Sequence, residues 1–231
     1  MLVKKSPRET RSNEFSVGPI FLKFAKSGLG KFGELFEVLN QEKGDVFNFR
    51  RFGQEGFYLI ESGLIKLEIV RPKPRILRLC RPGDLAGYGS WAADPATKYQ
   101  LVALQDSKVQ FWTRSGFEEL QRRSPEVNEL LIQHLIQIII HKDERIAALE
   151  SSKVENRIGH LVSWMAKNFG ETMSDGTLID LQLDRESMAQ LAGTTPETLS
   201  RVLTQFEEEN ILRRKRRKLL VLDLGKLSKK L

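Results

Sequence analysis

The chain has 231 residues with 37 Lys and Arg against 30 Asp and Glu, and at about 100–200 residues per domain that length fits one large domain or two ordinary ones. Its 40% hydrophobic and 29% charged residues are those of a globular protein rather than a disordered tail or a fibre, and its single Cys80 cannot form an intrachain disulfide, so no oxidising compartment is implied. Residues 1–15 lack the apolar core of a secretory signal, and the longest apolar stretch, Leu130–Ile140, is interrupted by Gln133, His134 and Gln137 and is too short for a bilayer; the expectation is a soluble, cytoplasmic protein with no membrane partner.

Residues 1–33 read as a flexible arm carrying a short apolar patch, Ile20-Phe21-Leu22. Residues 34–121 form the next domain, and from Leu35 to Trp112 it breaks into short apolar runs cut by glycine and proline: Asp45–Phe49, Phe57–Ile60, Leu64–Val70, Ile76–Leu79, Tyr99–Leu104 and Lys108–Trp112. Such runs, rich in aromatic and branched residues, are strand signals. Many of them at fairly regular spacing point to a sandwich or jelly roll.

After Gln121 the period becomes helical. Ser124-Pro125-Glu126 reads as a cap, a proline at the first helical position and an early acid. Residues 122–151 then form one long helix. Leu131, Leu135, Ile138, Lys142, Arg145 and Leu149 make a heptad seam. Leu130, Ile132, Ile136, Ile139 and Ile140 widen the apolar surface. A fully buried core helix would carry that width, and so would a helix packed on its own domain and on a second copy of itself. The second reading assigns the six seam residues to a dimer interface. His134 and His141 lie on one helical face, but without a nearby nucleophile or a metal-ligand set they do not make an enzyme. His141-Lys142-Asp143-Glu144 reads as a solvated stretch.

Residues 152–231 form a second module. Lys153–Phe169 is amphipathic and ends near Gly170, and an alternating strand, Leu178–Leu181, follows the turn at Asp175-Gly176. Asp184 caps a helix with Met188, Leu191 and Ala192 inside. Gly193 turns the chain, and a second helix starts near Thr195 with Pro196 in its first turn and Leu199, Val202, Leu203 and Phe206 inside. Two helices joined through a glycine are a helix-turn-helix, whose second helix presents its amino-terminal residues to the major groove. Arg201 can bond guanine bidentately, Glu197 can accept from cytosine, and Ser200 can do either. Thr194, Thr195 and Thr198 suit phosphate oxygens. The plain alternative is a helical hairpin whose Glu197 and Arg201 form a surface pair.

From Ile211 to the carboxy terminus nine Lys and Arg stand against Asp223 alone. A positive field concentrated at one end is a footprint for a polyanion. Arg213, Arg214, Lys215, Arg216, Arg217 and Lys218 are consecutive, and as a clamp on backbone phosphates they predict strong, salt-sensitive binding, since each neutralised phosphate steepens the log–log salt slope by roughly 0.9.

Ala189–Gly193, Glu197–Leu203 and Glu208–Leu212 resemble the winged-helix end of the CRP/FNR bacterial transcription regulators. Tyr58-Leu59-Ile60, Ser62–Leu67 and Arg81–Gly87 extend the resemblance through the strand-rich region, so that it covers about residues 35–225. It implies an α+β chain with an amino-terminal cyclic-nucleotide-binding-like β-roll (a jelly roll), a long dimerisation helix and a carboxy-terminal winged helix-turn-helix domain. By position, Glu197, Ser200 and Arg201 become the base-reading residues, in an arrangement similar to the FNR branch that implies TTGA-type half-sites in an inverted repeat. The implied partners are double-stranded DNA, a second copy of the chain and RNA polymerase.

The family pattern departs at the effector pocket. Cyclic-AMP-binding members place a glutamate and an Arg-Ser/Thr pair where this chain has Gly87-Tyr88-Gly89-Ser90-Trp91 and Thr97-Lys98, and Lys98 lacks the planar fork of an arginine. The pocket therefore reads as degenerate, with Tyr88 and Trp91 either filling it or lining a different one. No cofactor is expected: an iron–sulfur cluster needs about four cysteines, and all three histidines lie beyond the β-roll. Three readings remain: a regulator not gated by cyclic AMP, a sensor of another small molecule, and an effector-independent DNA-binding protein.

Overall fold

The computed structural model describes residues 29–70, 74–87, 99–151, 153–181, 183–215 and 218–229. Residues 1–28 of the expected arm lie outside them, and its last part is not an arm: Leu29–Leu35 forms 3-10 turns, with Phe32 and Leu35 packed on the cluster around Trp112.

Among the described residues nine strands follow: β1 (Phe36–Gln41), β2 (Val46–Phe47), β3 (Arg50–Arg51), β4 (Gln54–Ser62), β5 (Ile65–Ile69), β6 (Arg75–Cys80), β7 (Leu85–Ala86), β8 (Tyr99–Ala103) and β9 (Ser107–Thr113). They pair antiparallel into two sheets. One has the order β1-β9-β4-β3 with β7 also on β4; the other runs β2-β8-β5-β6. Successive side chains on a strand point to opposite faces, and both faces of β4 are buried. Tyr58 and Ile60 join Ile65, Cys80, Leu101 and Phe111 between the sheets. Phe57 and Leu59 point the other way, into a cluster with Trp112, Phe117 and Leu120. That is why Phe57–Ile60 is a continuous apolar run rather than an alternating one. The β3–β4 turn is Phe52-Gly53, both with positive φ, and the Arg51 guanidinium lies 4.8 Å from the Phe52 ring centroid.

Helix α1 (Arg114–Arg123) fills the stretch between the last expected strand, which ends at Trp112, and the helical period expected only after Gln121. Thr113 caps it by accepting from Gly116 N at 3.1 Å, and Phe117 and Leu120 bury its inner face. Ser124 closes α1, its N–H donating to Leu120 O, instead of serving only as the cap of the next helix. Helix α2 (Glu126–Ser151) then carries two distinct faces. Val127, His134, Ile138 and His141 are buried. Ile132, Ile136, Ile139, Ile140 and Ile146 stay roughly half exposed. The six-residue seam read from sequence straddles both. Ile138 is buried within its own chain, Leu131 packs on the Trp112 cluster, and Arg145 donates to Leu77 O at 2.8 Å. The apolar stripe left facing outward sits one residue later.

Helix α3 (Val154–Phe169), the strands β10 (Glu171–Met173) and β11 (Gly176–Ile179), helices α4 (Arg185–Leu191) and α5 (Pro196–Glu208), the hairpin β12 (Leu212–Lys215) and β13 (Lys218–Val221), and α6 (Leu224–Lys229) complete the chain. The order of this last sheet is β10-β11-β13-β12. Its core reaches into the β-roll: Leu64, Ile76 and Leu79 share one buried cluster with Trp164, Met165 and Leu191. Polar contacts reinforce the joint. Gln190 Oε1 accepts from Ile76 N at 3.0 Å, and Arg81 lies over the Trp164 ring and bonds Asn168. Among the described residues no helix is long and apolar enough to cross a membrane.

Candidate nucleic-acid interface

The turn between α4 and α5 is built from local chemistry. Asp184 accepts from Ser187 N at 2.6 Å and fixes the start of α4. At its end Gly193 takes φ +61°, which lets Thr194 N reach Ala189 O and Gly193 N reach Gln190 O; this paired closure needs a left-handed residue. Arg157 holds the same turn from α3, donating to Ala192 O at 3.0 Å and Gly193 O at 3.1 Å. Thr195 then caps α5, with Pro196 in the first turn. Leu199, Val202, Leu203 and Phe206 face inward. The other side of α5 presents Glu197 and Arg201, both exposed, and the half-exposed Ser200.

Those three side chains differ in what holds them. The backbone amide at the helix start and the Thr195 hydroxyl keep the Glu197 carboxyl below the usual carboxylate range, so it is an acceptor at neutral pH. Ser200 Oγ accepts from Arg185 Nη1 at 3.2 Å. Of the threonines expected on phosphate, Thr195 is engaged in capping Thr198 N and in contact with Thr198 Oγ1, and Thr194 is half buried.

The basic hairpin departs from a uniform clamp. Its register sets Leu212 opposite Val221 and Lys215 opposite Lys218; Arg216 and Arg217 between them lie outside the described residues. Arg214 is turned back onto α5: its N–H and Nε donate to Glu207 at 2.7 and 2.6 Å, and Nη2 donates to Thr204 Oγ1 at 3.0 Å. Lys218 pairs with Asp180 at 2.6 Å. Arg213 and Lys215 remain exposed. Charge counting could not find Glu207 or Asp180 as partners, because they come from other elements. Arg185 was also missed; its only sequence signal is its place directly after a cap.

In the β-roll, Gly87 has φ +96°, and a Cβ there would lie 2.0 Å from the Phe49 ring. Tyr88, Gly89, Ser90, Trp91, Thr97 and Lys98 lie outside the described residues. The strand leading to them is held on both backbone groups: Leu85 N donates to His134 Nε2 at 3.4 Å, and Arg78 bonds Leu85 O. His134 and His141 are 0% and 5% exposed, which corrects the reading of these histidines as solvated, whereas Lys142 and Asp143 beside them are exposed. Among the described residues no three His, Cys, Asp or Glu are grouped to hold a metal.

Residues 156–230 match the Crp-like helix-turn-helix domain. The chain is 28% identical over 162 residues to a cyclic AMP receptor protein of Thermus thermophilus, covering 69% of this chain and 71% of that one. It is 25% identical over 202 residues to a global nitrogen regulator of Nostoc, covering 86% and 90%. A CRP/FNR-family transcriptional regulator from Thermus thermophilus superposes with a TM-score of 0.72 at 22% identity, over 84% of this chain and 97% of that one. The β-roll, the long helix and the helix-turn-helix make up the fold shared with this solved structure, residues 156–230 match a Crp-like helix-turn-helix domain, and most of the chain is similar in sequence to CRP-type transcription regulators.

Proposed function

We propose that the protein acts as a homodimer on an inverted repeat of TTGA-type half-sites, with Glu197, Ser200 and Arg201 reading bases. Supporting this is the single exposed row that these side chains form on α5, beside a helix start capped by Thr195. Two such helices enter successive major grooves about 34 Å apart, so the operator is a palindrome with half-sites one helical turn apart. Thr194, Thr198, Arg213 and Lys215, with Arg216 and Arg217, contact phosphates; Arg214 and Lys218 brace the hairpin. Cyclic AMP does not gate the protein, since the glutamate and arginine that would hold it are replaced at Gly87–Trp91 and Thr97-Lys98.

Selection of bound DNA from random oligonucleotides, without added ligand, tests this. The expected result is an inverted TTGA-like repeat. Arg201→Ala then loses discrimination at one base pair per half-site, at about 1–3 kcal/mol each. Lys215→Ala weakens operator and random DNA alike and reduces the log–log salt slope of a dimer by about 2. No enriched site without ligand, together with one that emerges when a metabolite raises the melting temperature, would favour a small-molecule sensor instead; a ligand at 100 times its Kd adds about 2.7 kcal/mol.

A further inference from the structure

We propose that Arg185 is a positioning residue for base reading, fixing the Ser200 hydroxyl toward the DNA; the inference rests on Ser200 as a reader. Arg185 is the first residue of α4, and the Asp184 cap on Ser187 N fixes the backbone that carries it. Its Nη1 stands 3.2 Å from Ser200 Oγ. A guanidinium only donates, so this bond takes one lone pair of the hydroxyl and restricts its rotation.

An unrestrained serine hydroxyl serves as donor or acceptor and discriminates poorly between base edges. A hydroxyl held by a cation on one side has a defined direction for its remaining proton and lone pair. The same row is tied down further along α5: Thr204 Oγ1 donates to Ser200 O at 3.0 Å, and Arg214 Nη2 donates to Thr204 Oγ1 at 3.0 Å. Hydrogen bonds thus hold Ser200 from both sides, its hydroxyl from the start of α4 and its carbonyl, through Thr204, from the base of the hairpin. Arg185 is the α4 side of that hold. It acts through Ser200, on a base pair that it does not itself select.

The experiment measures operator preference, position by position, for Arg185→Met, Arg185→Lys, Ser200→Ala and the Met/Ala double variant, with binding to random DNA alongside. Arg185→Met is expected to lose about 3- to 10-fold of preference, the worth of one hydrogen bond, at the same base pair that Ser200→Ala affects. The double variant loses no more than either single, the mark of one coupled unit, and Arg185→Lys keeps most of the preference. A uniform loss on operator and random DNA, with every base preference intact, overturns the proposal and leaves Arg185 as a phosphate contact. Additive losses in the double variant overturn it too. If Ser200→Ala changes no preference while Arg201→Ala does, Ser200 is not a reader and this inference falls alone.

Discussion

His134 shows at the scale of one residue how burial sets a pH response. It sits fully buried on α2, with Nε2 accepting from Leu85 N. Burial, and then the nearby Arg78 guanidinium, push it down to about 3, against about 6.5 in an unfolded chain. Between those values the unfolded state binds a proton that the folded state refuses, so stability falls as pH drops from about 6.5 toward 3. The loss approaches about 4 kcal/mol at the acid end. His134→Gln keeps an acceptor for Leu85 N and removes the titration. Its melting temperature should therefore fall less than that of the wild type between pH 7 and pH 4.5, and parallel curves for the two proteins would exclude His134 as the cause. The position was legible in principle, because His134 and His141 share the heptad phase of Val127, but polarity made them read as surface. Cys80 is the chain's single cysteine. It is fully buried on β6, and burial pushes its thiol up to about 11, which leaves little thiolate for redox chemistry at neutral pH.

Among elements, those whose signals are local were legible and those whose partners are distant were not. Asp184, Gly193 and Thr195-Pro196 mark the helix boundaries by capping chemistry that acts within a few residues, and the structure places each at such a boundary. Asn210 repeats the device at the end of α5, with φ +53° and Ile211 N donating to Phe206 O. By contrast α1 was hidden, since its apolar residues continue the aromatic texture of β9. The hairpin's ion pairs were equally hidden, because Glu207 and Asp180 belong to other elements. Gly193 supports a sharp test. A Cβ there lies 2.2 Å from Leu149 Cδ2, the movable end of a flexible side chain, whereas φ +61° strains any L residue. Gly193→Ala should cost about 1–2 kcal/mol, mostly backbone strain, and Gly193→Asn less, since asparagine tolerates the left-handed region. Urea midpoints at unchanged slope measure both. An Ala variant as stable as the wild type would mean that the turn adopts another closure.

At the scale of the whole molecule, the order of strands, long helix and helix-turn-helix followed from periodicity, while the packing between parts did not. Nothing in the text of β6 announces that Ile76 and Leu79 share a core with Trp164, or that Gln190 bonds the Ile76 amide. On α2 the six seam residues read from sequence straddle a buried and an exposed face for a related reason. A helix of 3.6 residues per turn that serves two partners carries two apolar stripes, and sequence alone does not say which one its own chain takes. The chain takes Val127, His134, Ile138 and His141, leaving Ile132, Ile136, Ile139 and Ile146 facing outward. Isoleucines 50–58% exposed along one stripe, interrupted only at the exposed Asp143, form the kind of patch that marks an interface. Burying the exposed half of each against a second copy contributes about 1 kcal/mol, while a lysine facing its symmetry mate removes that burial and adds like-charge repulsion. Ile139→Lys should therefore sediment as the 26.5 kDa chain in place of a dimer, with its melting curve still cooperative because Ile139 is 58% exposed in its own chain. Binding to the inverted repeat should drop to that of a single half-site, and the salt slope should roughly halve, because half the phosphate contacts are gone. An Ile139→Lys protein that keeps the dimer mass and full operator affinity would move the dimer contact off this stripe.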